Sequence, residues 1–371
     1  MKIIIASDSF KGTLSSLDIC RLFKEELQHY PSVSAHYVPI ADGGEGSLQA
    51  IAQSSKGRYI SLETKNPYFK NIETQYFIDN NNVAYFETAS CAGLCLIKKL
   101  NPAKTTTFGL GQQVLDGLKK GCKKFYIFLG GSATNDGGCG LFSALGSKFY
   151  DKNGKQFIPT GGTLINISQI DNSATEKLLK DVQIIALCDV TNPLYGPNGA
   201  AYVYAPQKGA DSKMSVSLDQ GLENLSKVIK KDLGLDISNV QGSGAAGGLG
   251  GGLMAFGNGQ LQSGIDTILN ILNFDSIISD ADYIISGEGK LDKQSLAGKA
   301  IKGIASRCQK YGKKLFLIVG TSELSLKEVQ SQFSCVEEII ETNAHHLPFE
   351  NIKKCAPQQY KEAIVTLLKR I

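Results

Sequence analysis

Nine residues, Gly130-Gly131-Ser132-Ala133-Thr134-Asn135-Asp136-Gly137-Gly138, follow the apolar run Lys124–Leu129 and collect main-chain donors, two hydroxyls, an amide and one carboxylate. Hydroxyl, amide and backbone N–H groups suit phosphate oxygens. A carboxylate beside them repels phosphate unless a cation intervenes, so Asp136 among such donors points to a Mg²⁺-nucleotide arrangement. On that reading Gly131, Ser132 and Asn135 hold phosphate oxygens and Asp136 is a metal ligand. A second cluster, Gly242–Gly252, packs seven glycines into eleven residues. Without side chains in the way, its amides can turn toward an anion, which makes Gly242, Gly244, Gly247 and Gly248 candidate cofactor contacts. A helix beginning near Gly248 would add its N-terminal partial charge. Close helix packing and a hinge are the competing uses of the same glycines. The segment is not a GxxxxGK[ST] loop and follows no clear strand, so neither a Walker A nor a Rossmann site is indicated.

Seven carboxylates, Asp8, Asp42, Glu45, Asp136, Asp189, Glu288 and Asp292, lie in or next to glycine- or serine-rich turns. Gathered around one site they would repel one another unless metal or lysine were present, and Lys11, Lys208, Lys290 and Lys299 are the near neighbours. Acids of this kind also act as caps and turn formers. As a set they favour phosphoryl transfer, in which catalysis is positioning and charge neutralisation. Cys188-Asp189-Val190-Thr191-Asn192-Pro193-Leu194 follows another apolar run and sets an Asp and an Asn at a strand exit, with Pro193 biasing Asn192 away from helix. No Ser-His-Asp or Cys-His pairing can be assembled, so acyl transfer has no support. The His345–His346 pair reads as surface or loop.

Five segments position these groups by one pattern, a short apolar run followed at once by small polar residues: Lys2–Ala6, Ala35–Ile40, Lys124–Leu129, Tyr283–Ile285 and Lys314–Val319. Most lead into a helix-like stretch. Continuous apolar strands alternating with helices predict a parallel sheet covered on both faces, with ligands outside the carboxyl ends of the strands. Arg58–Glu87 breaks the pattern and reads as an antiparallel meander turning at Asn80–Asn82. Gly146–Ala205 mixes short strands, a Lys152-Asn153-Gly154 turn and an edge-like Ala201–Ala205. The expected organisation is a discontinuous parallel-sheet domain (1–57, 105–145, 260–371) with an inserted mixed α/β domain (58–104, 146–259), and the cleft between the two as the natural site.

Composition excludes several classes. The 371 residues carry a net charge of +4, and 42% are hydrophobic, enough for packed cores and too balanced to announce a nucleic-acid or membrane surface. Only Arg21, Arg58, Arg307 and Arg370 are arginines, which argues against readers of nucleic-acid backbones. The nine cysteines match no zinc or disulfide spacing and read as reduced thiols. The apolar run Ile3–Ala6 is too short for a signal peptide, and no segment nears 18 apolar residues, so a cytoplasmic protein is expected.

The motifs together resemble those of the bacterial glycerate kinases. The likeness runs through Asp8-Ser9-Phe10-Lys11, Asp42–Gly46, Gly130–Gly138, Cys188–Leu194, Pro206–Ala210 and Gly242–Gly252, then through Gly287–Gln294 to Gly298-Lys299. It implies ATP-dependent phosphorylation of D-glycerate, with ATP and Mg²⁺ as cofactors, 2- or 3-phosphoglycerate as product, and a flavodoxin-like five-stranded parallel sheet in the first domain. Three positions depart from the family's pattern. Gln112 stands where a glutamate is usual, Lys290 where arginine is common, and Ser295 where threonine is common. In the resulting assignment Asp189, Lys11 and Asp292 are catalytic, with Asp189 taking the proton of the attacking hydroxyl. Asp8, Ser9, Asp42, Glu45, Arg58 and Asn192 bind substrate, with Lys11 or Arg58 on the carboxylate. Lys290 joins the phosphate contacts, and Glu288 joins Asp136 at the metal. A kinase for another small hydroxy-acid and a non-catalytic nucleotide-sensing module are the alternative readings.

Overall fold

The computed structural model describes residues 1–41, 46–296, 298–343 and 347–371. Eleven strands build its two main sheets: β1 Lys2–Ile5, β2 Ser34–Tyr37, β3 Gly57–Lys65, β4 Asn71–Asp79, β5 Val83–Glu87, β6 Lys124–Phe128, β7 Gln183–Leu187, β8 Gln260–Gln262, β9 Tyr283–Ser286, β10 Lys314–Val319 and β11 Val336–Glu341. The chain divides into two compact units. One is made of the N-terminal forty or so residues, Gln49–Ser55 and Ser263–Ile371, and the other chiefly of Lys56–Gln262.

The first unit holds a five-stranded sheet in the order β11-β10-β9-β1-β2, with every neighbouring pair parallel. This is the flavodoxin-like architecture, strand order 2-1-3-4-5 by position within the unit. Ile3, Ile4 and Ile5 are fully buried, as are Leu315, Leu317, Ile318 and Val319, because helices cover both faces. Helix Ser16–Glu26 starts with a capping box in which Ser15 and Asp18 satisfy each other's backbone N–H. Helix Phe349–Leu368 delivers Tyr360 edge-on to Phe10 and Phe23.

The second unit holds a six-stranded mixed sheet in the order β8-β7-β6-β5-β4-β3. β8, β7, β6 and β5 are mutually parallel, while β3, β4 and β5 form the antiparallel meander anticipated for Arg58–Glu87. A small sheet of Lys148–Tyr150, Gln156–Phe157 and Gln169–Asp171 flanks it, and the hairpin turns at Gly154. Helices Phe108–Lys119, Cys139–Leu145, Ser212–Leu233 and Ala245–Gly257 supply apolar faces to one core around Phe125, Ile127, Leu222 and Leu249.

Two local expectations fail for identifiable reasons. Lys124–Phe128, grouped by its pattern with the flavodoxin-like strands, pairs with β5 and β7 in the mixed sheet. The fifth parallel strand of the first unit is instead Val336–Glu341, an edge strand whose three glutamates hide its apolar content. Ala201–Ala205 is not edge strand but lies in helix Ala200–Tyr204 and its C-cap. Its alternating sequence imitates a strand, yet Ala200, Ala201 and Ala205 are buried while Tyr202 and Val203 face outward, which is helical spacing. Among the described residues no helix is long and apolar enough to cross a membrane.

Candidate functional site

In the second unit, β6 and β7 run parallel with Phe128 opposite Leu187, so the loops that leave them emerge at one edge of the sheet. The loop after β6 is tied down along its main chain. Leu94 N–H donates to Gly131 O (2.9 Å), and Ala133 N–H donates to Ala92 O (2.8 Å). Thr105 Oγ1 donates to Ala133 O at 2.9 Å.

Asp136 is not an open metal ligand. Its carboxylate is fully buried and accepts from Thr107 N–H (2.7 Å), Thr107 Oγ1–H (2.9 Å), Gly140 N–H (3.2 Å) and Gly138 N–H (3.3 Å). Burial pushes its pKa up, against the pull of those four donors. The carboxylate therefore knots the turn to the start of helix Phe108–Lys119, with three of the four donors on Oδ2 and one on Oδ1.

Next to that knot lie polar atoms with nothing to bond. Thr134 and Asn135 are fully buried, and among the described residues Thr134 Oγ1, Asn135 Oδ1 and Asn135 Nδ2 have no hydrogen-bond partner. Ser243 Oγ is in the same condition. Buried polar groups are nearly always paired, and each exception calls for an explanation, a ligand being one. Lys208 approaches the same turn: its Nζ donates to Ser132 Oγ at 2.9 Å and to Thr134 O at 2.8 Å, with the side chain 2% exposed. Burial lowers its pKa to about 7, with the charge of Asp136 opposing. Lys208 is legible in the sequence only as a neighbouring charge, and Ser243 only as part of a glycine-rich run. No local signal marks them, because burial and pairing are set by tertiary packing.

The glycine-rich segment packs closely against this turn, one of the uses its glycines allow. A Cβ on Gly247 would stand 2.0 Å from Thr134 O and 2.7 Å from the Asn135 Cα, and its φ of +71° also demands glycine. Gly137 N–H donates to Gly247 O at 3.1 Å. Gly244 N–H is spent on Asn192 O and Gly248 N–H on Gly244 O. Gly242 is buried against Cys188 and Leu261. Regular helix resumes only after Gly248, the backbone being non-helical at Ala246, Gly247 and Gly248.

Asp189 is exposed on the loop after β7. Asn192 is held within that loop, donating to Asn198 O (2.8 Å) and accepting from Tyr204 OH (2.5 Å). Arg58 is exposed on β3, but the register runs Arg58–Ile78–Ala84–Phe125, which puts it level with the beginning of β6. It is therefore at the edge opposite Ser132 and does not belong to this site. Gln112, at the position of the family's glutamate, and its neighbour Gln113 have structural partners. Gln112 Oε1 accepts from Lys65 N–H (2.8 Å), and Gln113 is buried with Nε2 donating to Ser90 Oγ and Gln75 O.

In the first unit the loops after β1, β9 and β10 lie side by side. Asp8 N–H donates to Gly287 O (2.9 Å), and Gly320 N–H donates to Glu288 O (3.1 Å). Ser9 N–H caps Asp8 Oδ1 at 2.6 Å, and Lys11 is exposed just beyond. Glu288 is 6% exposed. Lys290 is exposed and pairs with Glu323 at 2.7 Å. Asp292 forms a turn, accepting from Gln294 N–H (2.8 Å) and Ser295 N–H (3.2 Å). Burial opposes ionisation of Asp292, but those donors with Lys299 and Lys290 hold its pKa below the usual range. Asp42 and Glu45, like the His345–His346 pair, lie outside the described residues.

Among the described residues no three His, Cys, Asp or Glu side chains are grouped to hold a metal. Mg²⁺ in phosphoryl-transfer sites takes one or two carboxylates and completes its shell with water and phosphate oxygens. The buried carboxylate of Glu288 at a strand exit fits that limited demand.

Comparison with known proteins agrees with this architecture. A family model described as the glycerate kinase family matches residues 3–371. The glycerate 2-kinase of Escherichia coli K12 is 40% identical over 325 residues, spanning 86% of this chain and 85% of its own. A glycerate kinase of Bacillus cereus is 39% identical over 342 residues, with 91% and 88% covered. The crystal structure of a chain assigned as glycerate kinase 2 from Salmonella typhimurium LT2 superposes with a TM-score of 0.85 at 33% identity, covering 100% of this chain and 98% of that one. The fold and these relatives define an enzyme, a kinase of small molecules. The chain belongs to the glycerate kinase family.

Proposed function

We propose that the protein transfers the γ-phosphoryl group of ATP to a hydroxyl of D-glycerate, in the cytoplasm. The observation that carries the reading is the buried turn Ser132–Asn135. Its unpartnered hydroxyl and amide groups stand beside a buried lysine at the edge where the 188–194 loop also emerges. Those groups suit phosphate oxygens and suit little else that the chain itself provides. The name of the Escherichia coli relative, a glycerate 2-kinase, favours the C2 hydroxyl and hence 2-phosphoglycerate.

Roles follow from residue chemistry. Ser132 and Asn135 hold phosphate oxygens. Asp189 accepts the proton of the attacking hydroxyl as its oxygen bonds to phosphorus and the bond to the ADP oxygen breaks. Lys11 neutralises the carboxylate of glycerate, with Asp8 and Ser9 ordering its hydroxyls. Asn192 keeps the Asp189 loop in place through its bonds to Asn198 and Tyr204. Lys290 and Asp292 serve the phosphate side of the first unit. Glu288 is the carboxylate for Mg²⁺, which when bound offsets phosphate charge.

The test is product analysis. D-Glycerate incubated with Mg²⁺ and ATP, followed by ³¹P and ¹³C NMR, should give ADP and a phosphate ester on C2. An ester on C3 would overturn the regiochemistry, and recovery of unreacted glycerate would overturn the function. Asp189→Asn should lower kcat by about 100-fold or more while nucleotide affinity stays within about two-fold. Near-normal turnover would remove Asp189 from the proton-accepting role.

A further inference from the structure

Lys208 ends the short helical turn Pro206–Lys208 and has no role in the reaction as written above. Its ammonium can donate three hydrogen bonds. The two it makes go to Ser132 Oγ and Thr134 O, both neutral. Asp136 is the charged group whose field reaches it, yet the Asp136 carboxylate bonds to Thr107, Gly138 and Gly140. A cation buried without a counter-ion contact is costly. The same turn holds the unpartnered Thr134 hydroxyl and both unpartnered ends of the Asn135 amide, each side chain fully buried. Lys208, the Thr134 hydroxyl and the Asn135 Nδ2 lie on or against one short stretch of chain, and each is a donor with no anionic acceptor among the described residues.

We infer that Lys208, Ser132, Thr134 and Asn135 form an oxyanion subsite, with Lys208 as its charge, for the phosphate chain of the nucleotide or the carboxylate of the acceptor. The choice between those two sources rests on the proposed kinase reading; the subsite itself does not. Thr134 Oγ1 and Asn135 Nδ2 supply donors, and Ser132 Oγ is oriented by the lysine. The loop cannot shift to satisfy these atoms internally, because Gly247 abuts Thr134 O and Gly137 N–H is tied to Gly247 O.

The inference has a signature that a structural lysine lacks. With its pKa near 7, Lys208 is mostly neutral at about pH 8 in the free protein. An anion beside it favours the ammonium, so binding must draw a proton from solution.

Calorimetry at about pH 8, in two buffers of different ionisation enthalpy, measures that uptake. Tripolyphosphate and D-glycerate are titrated separately into the full-length protein. On the order of one proton should be taken up with one of the two, and the uptake should vanish in Lys208→Met. The probe that shows it identifies the source. Failure of both probes to bind, or binding and uptake unchanged in Lys208→Met, overturns the subsite. Should Lys208→Met not fold, Asn135→Ala serves instead, since its side chain has no bond to lose in the free protein. It should leave the melting temperature unchanged yet raise KM about tenfold or more for the same substrate, nucleotide or glycerate. Unchanged KM for both overturns the subsite. Wild-type protein that shows uptake but no glycerate phosphorylation would overturn the proposed function and leave the subsite standing.

Discussion

The carboxylate of Asp136 receives both the backbone N–H and the hydroxyl of Thr107, at 2.7 and 2.9 Å, across 29 residues of chain. Through this pair the turn after β6 is fastened to the helix that begins at Phe108. Thr107 Oγ1 in turn accepts from Leu141 N–H at 2.9 Å, so one threonine and one aspartate hold three segments together.

Removing that carboxylate should therefore harm folding before chemistry. Asp136→Ala leaves four buried donors without their acceptor and should cost about 3–5 kcal/mol. Asp136→Asn keeps the shape but turns an NH₂ toward donors, and should also destabilise. Chemical denaturation reads both. A variant of near-native stability that had lost only Mg²⁺ dependence would restore the metal role.

Lys208 should make stability depend on pH. The unfolded chain keeps this ammonium up to its ordinary value of 10.5, whereas the folded chain gives up the proton near 7. Between those values the unfolded state binds more protons, so stability rises with pH; below about 7 both states are protonated and the slope vanishes. The stability of wild type minus that of Lys208→Met should thus increase by at most about 1.4 kcal/mol per pH unit above neutrality. A flat difference between about pH 7 and about pH 9 would show that the lysine stays charged inside.

Gly247 offers a test of packing against cradle. Gly247→Ala places a Cβ 2.0 Å from Thr134 O at a φ of +71° and should cost about 2–4 kcal/mol. Gly154→Ala shares a positive φ of +74° but meets nothing within 4 Å, so only backbone strain of about 1 kcal/mol remains. Equal costs at the two sites would contradict the packing account.

Arg58 stands level with the start of β6, away from the turn that follows its end. Arg58→Ala should leave kcat and KM for glycerate within about two-fold of wild type. A rise in the glycerate KM alone would return Arg58 to the substrate's carboxylate.

What the sequence shows and what it conceals divide along physical lines. Buried parallel strands announce themselves as apolar runs ending in small polar residues, so β1, β9, β10 and the loops after them are legible, as is the meander of β3–β5. Which sheet a strand joins is not local information. Lys124–Phe128 has the same pattern as Lys314–Val319, and only pairing with Val83–Glu87 and Gln183–Leu187 separates them. Charge on an edge strand hides Val336–Glu341 in the same way. At the site, the residue types of Ser132 and Asn135 are informative, but a glycine cluster that could approach an anion can equally approach a backbone. A lysine reads as surface until its burial is seen, which is why Lys208 escapes sequence reasoning.

The most direct test of the account is a coupled assay of ADP release with Mg²⁺ and ATP, run in parallel on D-glycerate, L-glycerate, tartronate and glycerol. Turnover of D-glycerate well above the other three, dependent on Asp189, is the expected result. A preference for glycerol or tartronate, or ADP release that ignores the acceptor altogether, would contradict it.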